Sequence, residues 1–290
     1  MITRILAAIP LILLVVAAIF FQGWVLVVFA AVVGLFCAYE VSRALHGTDA
    51  GVSRMVSLSV AVCLTALFVS DYALRQNPVN SAALFSPESI LLILAAGAAA
   101  AFAVCMFSPR GSFGMLENTL FTFVYPLFLV VFFYLLALHI VCGAHYWQGV
   151  VAMLMLFVPS ALSDTLAYFW GRAFGRRKLC PGISPNKTVA GSAAGLVGGG
   201  IGGALVWLLA TLAVPEGAPS GALFIVSGFL LAFLSQIGDL AASYIKRAVG
   251  VKDFGRLLPG HGGVMDRVDS TLFVAPLVYV LTAAGAFAFH

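Results

Sequence analysis

Between Ser243 and Ser270 the chain places eight of its 26 charged residues within 28 positions: Lys246, Arg247, Lys252, Asp253, Arg256, Asp266, Arg267 and Asp269. Carboxylates and cations this dense can hold a hard divalent cation and a polyanion together. Transfer chemistry on phosphates needs that combination, because it is mainly a matter of positioning and charge neutralisation. Upstream, Ser235, Asp239, Ser243 and Lys246 recur at i, i+4, i+8 and i+11, which sets them on one helix face. Asp266 and Asp269, spaced i, i+3, share another. Asp239, Asp266 and Asp269, with Asp164, form a candidate oxygen-ligand set for Mg²⁺, a cation held by few carboxylates together with substrate phosphates. Ion pairing of Asp266 with Arg267 or Lys246, and of Asp253 with Lys252, accounts for the same spacing, and spacing alone leaves both readings open.

The glycines around these charges add to the picture. Pro259-Gly260-His261-Gly262-Gly263 frees the backbone to adopt positive φ and to bring N–H groups close to a ligand, and it leads directly into the Asp266 helix. His261 reads equally as a capping residue or as a catalyst. A second polar stretch holds Arg176-Arg177-Lys178 and Ser184-Pro185-Asn186-Lys187-Thr188, which serve either as membrane anchors or as contacts to lipid headgroup and nucleotide phosphates. After it come Gly191, Gly195, Gly199 and Gly203. A phosphate loop would place Gly just before the Lys-Thr pair, whereas Asn186 precedes Lys187 here. Glycines every fourth residue instead make a flat helix face for close packing.

Membrane helices must position these groups. Sixty-two per cent of residues are hydrophobic and 9% charged, against about 25% charged in a soluble domain. The mean hydropathy is +1.10. The fold class expected is an all-α polytopic membrane protein. Nine apolar runs are long enough to span, at about 5–21, 24–42, 55–74, 88–107, 118–141, 147–170, 189–213, 222–246 and 270–289. Gln22-Gly23 turns the first two into a hairpin. Residues 1–21 read as a retained first helix, because a second span follows without a polar cleavage region. A β-barrel would need alternating apolar and polar residues, which Leu11 to Phe21 lack.

With a cytoplasmic N-terminus, 14 of the 15 Lys and Arg residues fall inside, and only Arg75 falls outside. Topology thus accounts for the net charge of +4, and nucleic acid need not be invoked. Residues 1–145 form an apolar scaffold of about five helices, in which Glu40, Asp71, Arg75, Glu88 and Glu117 are expected at span ends. Residues 146–290 carry the chemistry, with cytoplasmic loops at 171–188 and 247–269. There Asp164 and Asp239 lie inside spans, where a carboxylate is costly and usually functional. Five scattered cysteines, without paired metal spacing, read as packing residues.

The run from Ser243 through Lys246, Arg247, Lys252, Asp253, Pro259, Gly260, His261, Gly262, Gly263, Asp266 and Arg267 to Asp269-Ser270 resembles the signature of the phosphatidate cytidylyltransferase family, also called CDP-diacylglycerol synthases. Ser163-Asp164-Thr165, Ser184-Pro185-Asn186-Lys187-Thr188 and Ser235-Gln236-Ile237-Gly238-Asp239 resemble its upstream motifs, so the likeness covers about residues 160–270. The family usually has Lys-Thr-x-Glu-Gly where this chain has Lys187-Thr188-Val189-Ala190-Gly191. Asp164 is the credible substitute for the missing carboxylate.

The resemblance implies transfer of a cytidylyl group from CTP to phosphatidic acid with Mg²⁺, a second cation being left open. It implies catalytic roles for Asp239, Lys246, His261, Asp266 and Asp269. Substrate contacts would come from Asp164, Lys178, Ser184, Lys187, Thr188, Arg247, Lys252, Asp253, Gly262, Gly263 and Arg267. It also implies a bacterial inner membrane and a site facing the cytoplasm, and leaves homodimerisation open. The rivals are a CTP-dependent polyprenol-type kinase and an ion-coupled transporter, for which a convincing internal repeat is lacking.

Overall fold

The computed structural model describes residues 2–76, 83–109, 111–214, 217, 219–258 and 262–289, with backbone only for residues 2–9 and 11. Arg110, Glu216, Pro259, Gly260 and His261, on which parts of the sequence reading rest, lie outside the described residues.

The protein is an all-α polytopic membrane protein. Among the described residues, seven helices are long and apolar enough to cross a bilayer. They are α2 (Gly23–His46), α3 (Arg54–Arg75), α4 (Pro87–Phe107), the continuous run from α5 (Phe113–Thr122) to α6 (Phe128–Cys142), α7 (Tyr146–Phe174), α8 (Val189–Ala213) and α9 (Gly221–Ala248). The first expected span falls on α1 (Ile2–Phe21), described as an apolar helix over Ile12–Phe21. The last falls on α10 (Met265–Ala283), which begins earlier than the apolar run and so includes Asp266, Arg267 and Asp269. Positive φ at Gln22 (42°) and Gly23 (48°) separates α1 from α2. Between α5 and α6 the helix opens over Phe123–Leu127, where Tyr125 leaves helical geometry ahead of Pro126. Proline disfavours the helical region for the residue before it.

The chain folds as two compact units, residues 1–138 with 248–267, and residues 139–247 with 268–290. In the first, Phe68 stacks on Tyr134 at 4.2 Å, and the Tyr134 hydroxyl shares a 2.8 Å hydrogen bond with Thr65 Oγ1. Gly34 leaves room for that hydroxyl. Asp71 is fully buried rather than solvated at a span end. It accepts from Arg75 Nε (2.7 Å) and from the N–H groups of Leu84 and Phe85, closing the connection from α3 to α4. Protein donors do here what water would do for an exposed carboxylate.

In the second unit the glycines of α8 serve packing on two sides. A Cβ at Gly198 would lie 2.7 Å from the Leu162 carbonyl, and one at Gly202 2.7 Å from Pro159 Cα, both on α7. At Gly199 and Gly203 it would collide with α9, at Ala232, Gly228 and Phe224. Val197, Ile201, Leu205, Leu208 and Leu212 stay exposed, an apolar stripe suited to lipid. Between α7 and α8 the loop forms a small antiparallel hairpin of β1 (Lys178–Cys180) and β2 (Ser184–Thr188), pairing Lys178 with Thr188 and Cys180 with Ser184.

Because Gly199 meets the α9 backbone while Ile201 is exposed, Gly199→Leu should destabilise the protein by about 1–3 kcal/mol and Ile201→Leu by much less. Thermal unfolding in detergent checks this. Equal melting temperatures for the two variants would contradict the assigned packing.

Candidate active site

The hairpin sets Lys187 and Thr188 at the start of α8. Thr188 is the N-cap: its Oγ1 accepts from the Gly191 N–H at 3.1 Å, satisfying a donor the helix leaves orphaned. Gly171 lies so close that a Cβ there would come within 2.9 Å of the same hydroxyl. From this anchored position Lys187 reaches across to form an ion pair with Asp239 of α9. Asp164 of α7 also faces both Lys187 and Asp239 electrostatically.

Behind this group, Gln236 joins three helices. Its Nε2 donates to Ser163 Oγ (3.3 Å) and to the Ser192 carbonyl (3.1 Å), and its Oε1 accepts from Ser192 Oγ. Asp164, Lys187, Thr188, Ser192 and Gln236 line a cavity of about 560 Å³ whose wall also carries Arg172 and Lys178. That volume is in the range of small-molecule sites. Ala190 is not among the lining residues, whereas Asp164 is, so a carboxylate enters the cavity from α7 rather than from the first turn of α8. Next to the cavity wall, Tyr168, Phe169, Trp170 and Phe174 are exposed on the last turns of α7. Aromatic residues of this kind gather at headgroup level.

In the same unit Asp269, near the start of α10, is buried and accepts from the Ser270 N–H at 2.7 Å. Its Oδ2 lies 3.9 Å from Lys246 Nζ, and its carboxylate faces Asp239. Asp164, Asp239 and Asp269 thus set three negative charges against Lys187 and Lys246. Among the described residues no three His, Cys, Asp or Glu side chains enclose a metal on their own. The donor chemistry fits Mg²⁺, which binds one or two carboxylates and completes its shell with waters and substrate phosphates.

The rest of the polar segment belongs to the first unit. Asp266 Oδ2 accepts from the N–H groups of Phe254 (2.9 Å) and Gly263 (3.0 Å), folding the loop before α10. Gly262 has φ +82°, the backbone freedom the sequence suggested. Lys252, Asp253, Arg256 and Arg267 are exposed there, as are Lys178 and Arg247 in the second unit, while Ser184 is half-buried. The structure therefore gathers Asp164, Lys187, Thr188, Asp239, Lys246 and Asp269 in one unit, and Asp253, Gly262, Gly263 and Asp266 in the other. His261 lies outside the described residues. Sequence reasoning missed Gln236, although it stands inside a recognised motif, and Glu40, which was expected as a boundary residue and is buried against this loop.

A profile described as the cytidylyltransferase family matches residues 2–284, almost the whole chain. The chain belongs to the cytidylyltransferase family. Among individual proteins, it is 43% identical over 138 residues to a phosphatidate cytidylyltransferase of Brucella abortus, covering 48% of this chain and 49% of that one. It is 44% identical over 121 residues to the Bacillus subtilis protein of the same name, covering 42% and 43%. The Staphylococcus saprophyticus protein is 39% identical over 134 residues, covering 46% and 50%. The alignments thus span about half the length of these curated relatives.

The N-cap yields a direct test. Thr188→Ala should cost about 0.5–2 kcal/mol, and Thr188→Ser, which keeps the hydroxyl, should cost less. If the two variants unfold at the same temperature in detergent, Thr188 does not cap α8.

Proposed function

We propose that the chain transfers the cytidylyl group of CTP to phosphatidic acid, releasing pyrophosphate and leaving CDP-diacylglycerol in the membrane. The observation that carries this reading is the cavity lined by Asp164, Lys187 and Thr188 beside the Lys187–Asp239 pair, in a chain of this family. The names of the curated relatives support the same substrates.

The chemistry follows from charge. An oxygen of the lipid phosphate monoester attacks the α-phosphorus of CTP, the bond from that phosphorus to the bridging oxygen breaks, and pyrophosphate leaves with the electron pair. The monoester has a second pKa of about 6, so its oxygen is largely ionised at neutral pH and needs no strong base. The obstacle is the approach of two polyanions, and fixed cations lower it. Lys187 and Lys246 face those charges, and each is held by a carboxylate, Asp239 and Asp269 respectively. Asp239 and Asp269 would hold Mg²⁺, which when bound neutralises phosphate charge. Asp164 stands in for the carboxylate that Ala190 lacks.

Ser184 and Lys178 flank the entrance with Arg172. Arg247, Lys252, Asp253, Gly262, Gly263 and Arg267 contribute from the aqueous loop, on an inner membrane with the site toward the cytoplasm. The exposed aromatics of α7 set the cavity at headgroup level, where a lipid phosphate can reach it.

Purified protein given phosphatidic acid, Mg²⁺ and CTP labelled at either phosphorus tests the proposal. The α label should enter lipid and the γ label should leave as pyrophosphate. Incorporation of the γ label would make the protein a lipid kinase instead. Asp239→Asn should lower turnover by about 10²–10³-fold, the equivalent of several kcal/mol.

A further inference from the structure

Glu40 lies in α2, more than two hundred residues before the loop it touches, and only 3% of its surface is exposed. Its two carboxylate oxygens accept from consecutive backbone donors at the start of α10, Val264 N–H (3.1 Å) and Met265 N–H (2.8 Å). Both donors belong to the first turn of a helix, where N–H groups lack intrahelical partners and negative charge is favoured. Two glycines of the loop make the approach feasible. A Cβ at either Gly255 or Gly263 would collide with the Glu40 carboxylate. Asp266 holds the same loop from the other end of the turn, through the N–H groups of Phe254 and Gly263. Two carboxylates therefore fix one backbone segment by hydrogen bonds to its amides, and the exposed cations Lys252, Arg256 and Arg267 project from or beside that segment.

We propose that Glu40 is a positioning residue for nucleotide binding: it clamps the loop 254–265 so that its cations are presented to the polyphosphate of CTP in a fixed arrangement. Two features separate this role from ordinary core stabilisation. Every printed hydrogen bond to Glu40 comes from the loop and helix start rather than from its own helix. The space its carboxylate occupies is emptied at two loop positions by glycine. Glu40→Gln leaves the volume unchanged but replaces one acceptor oxygen with an NH₂ group facing an N–H donor, so one of the two bonds is lost and the loop gains alternative conformations. Cations that must be reordered on binding weaken affinity. The inference rests on the proposed use of CTP.

The test compares wild type, Glu40→Gln, Gly263→Ala and, as a control, Glu117→Gln, an exposed carboxylate on α5. Substitution of groups that orient binding residues typically costs about 10–100-fold. The KM for CTP should rise by that order in Glu40→Gln and in Gly263→Ala, and stay at the wild-type value in Glu117→Gln. KM does not depend on how much of a sample is folded, so a variant that merely folds poorly cannot imitate the result. Hydrogen exchange on ligand-free protein supplies a second readout: the amides of residues 254–265 should exchange faster in Glu40→Gln than in wild type. An unchanged KM for CTP in active Glu40→Gln, or unchanged protection of this loop, overturns the inference while leaving the cytidylyl transfer intact. Wild-type protein that releases no pyrophosphate from CTP with phosphatidic acid overturns the reading beneath it.

Discussion

The ion pair between Lys187 and Asp239 is the contact on which the second unit depends. A carboxylate well inside a membrane helix is expensive, and truncating one partner of such a pair leaves the other charge uncompensated. Lys187 can reach Asp239 only because Thr188 caps α8 and the β1–β2 hairpin fixes the approach. It also requires that α8 lie close to both neighbours, which the glycines at 198, 199, 202 and 203 permit. A larger residue at those positions would push the helices apart, and the lysine with them. Packing, capping and charge pairing are one arrangement seen at different scales.

The two units satisfy their acidic groups differently. Glu40 and Asp266 accept from backbone N–H groups, which hold a loop in shape. Asp239 and Asp269 instead lie beside lysines, with Asp164 adding a further negative charge in the cavity. Backbone amides cannot move to meet a ligand, whereas lysine side chains can exchange a carboxylate for a phosphate. The first pattern is suited to fixing structure and the second to binding a cation and a polyanion in turn.

Much of this was legible in the sequence. Apolar runs and the four-residue glycine spacing fixed the helices and the α8 packing face, since both depend on local periodicity. The stripe of Asp239, Ser243 and Lys246 was legible for the same reason. Glu40 and Asp71 were not: both look like span-end residues, and their burial depends on partners contributed by distant or intervening backbone. The hairpin escaped notice because Ser184-Pro185-Asn186-Lys187-Thr188 has neither alternation nor β-branched residues before Thr188. Asp266 has the spacing of a ligand, yet its engagement with Phe254 and Gly263 follows from the fold of a glycine-rich loop that no periodicity describes.

The central claim is that Asp239 and Asp269 are kept in the membrane helices to bind a divalent cation beside the two lysines. Mn²⁺, which favours the same oxygen ligands as Mg²⁺, reports its own binding by electron paramagnetic resonance. Titration of Mn²⁺ into purified protein with a non-hydrolysable CTP analogue should give a saturable site in the wild type, weakened about tenfold or more in Asp239→Asn and in Asp269→Asn. Equal Mn²⁺ affinity in the wild type and both variants would contradict the account.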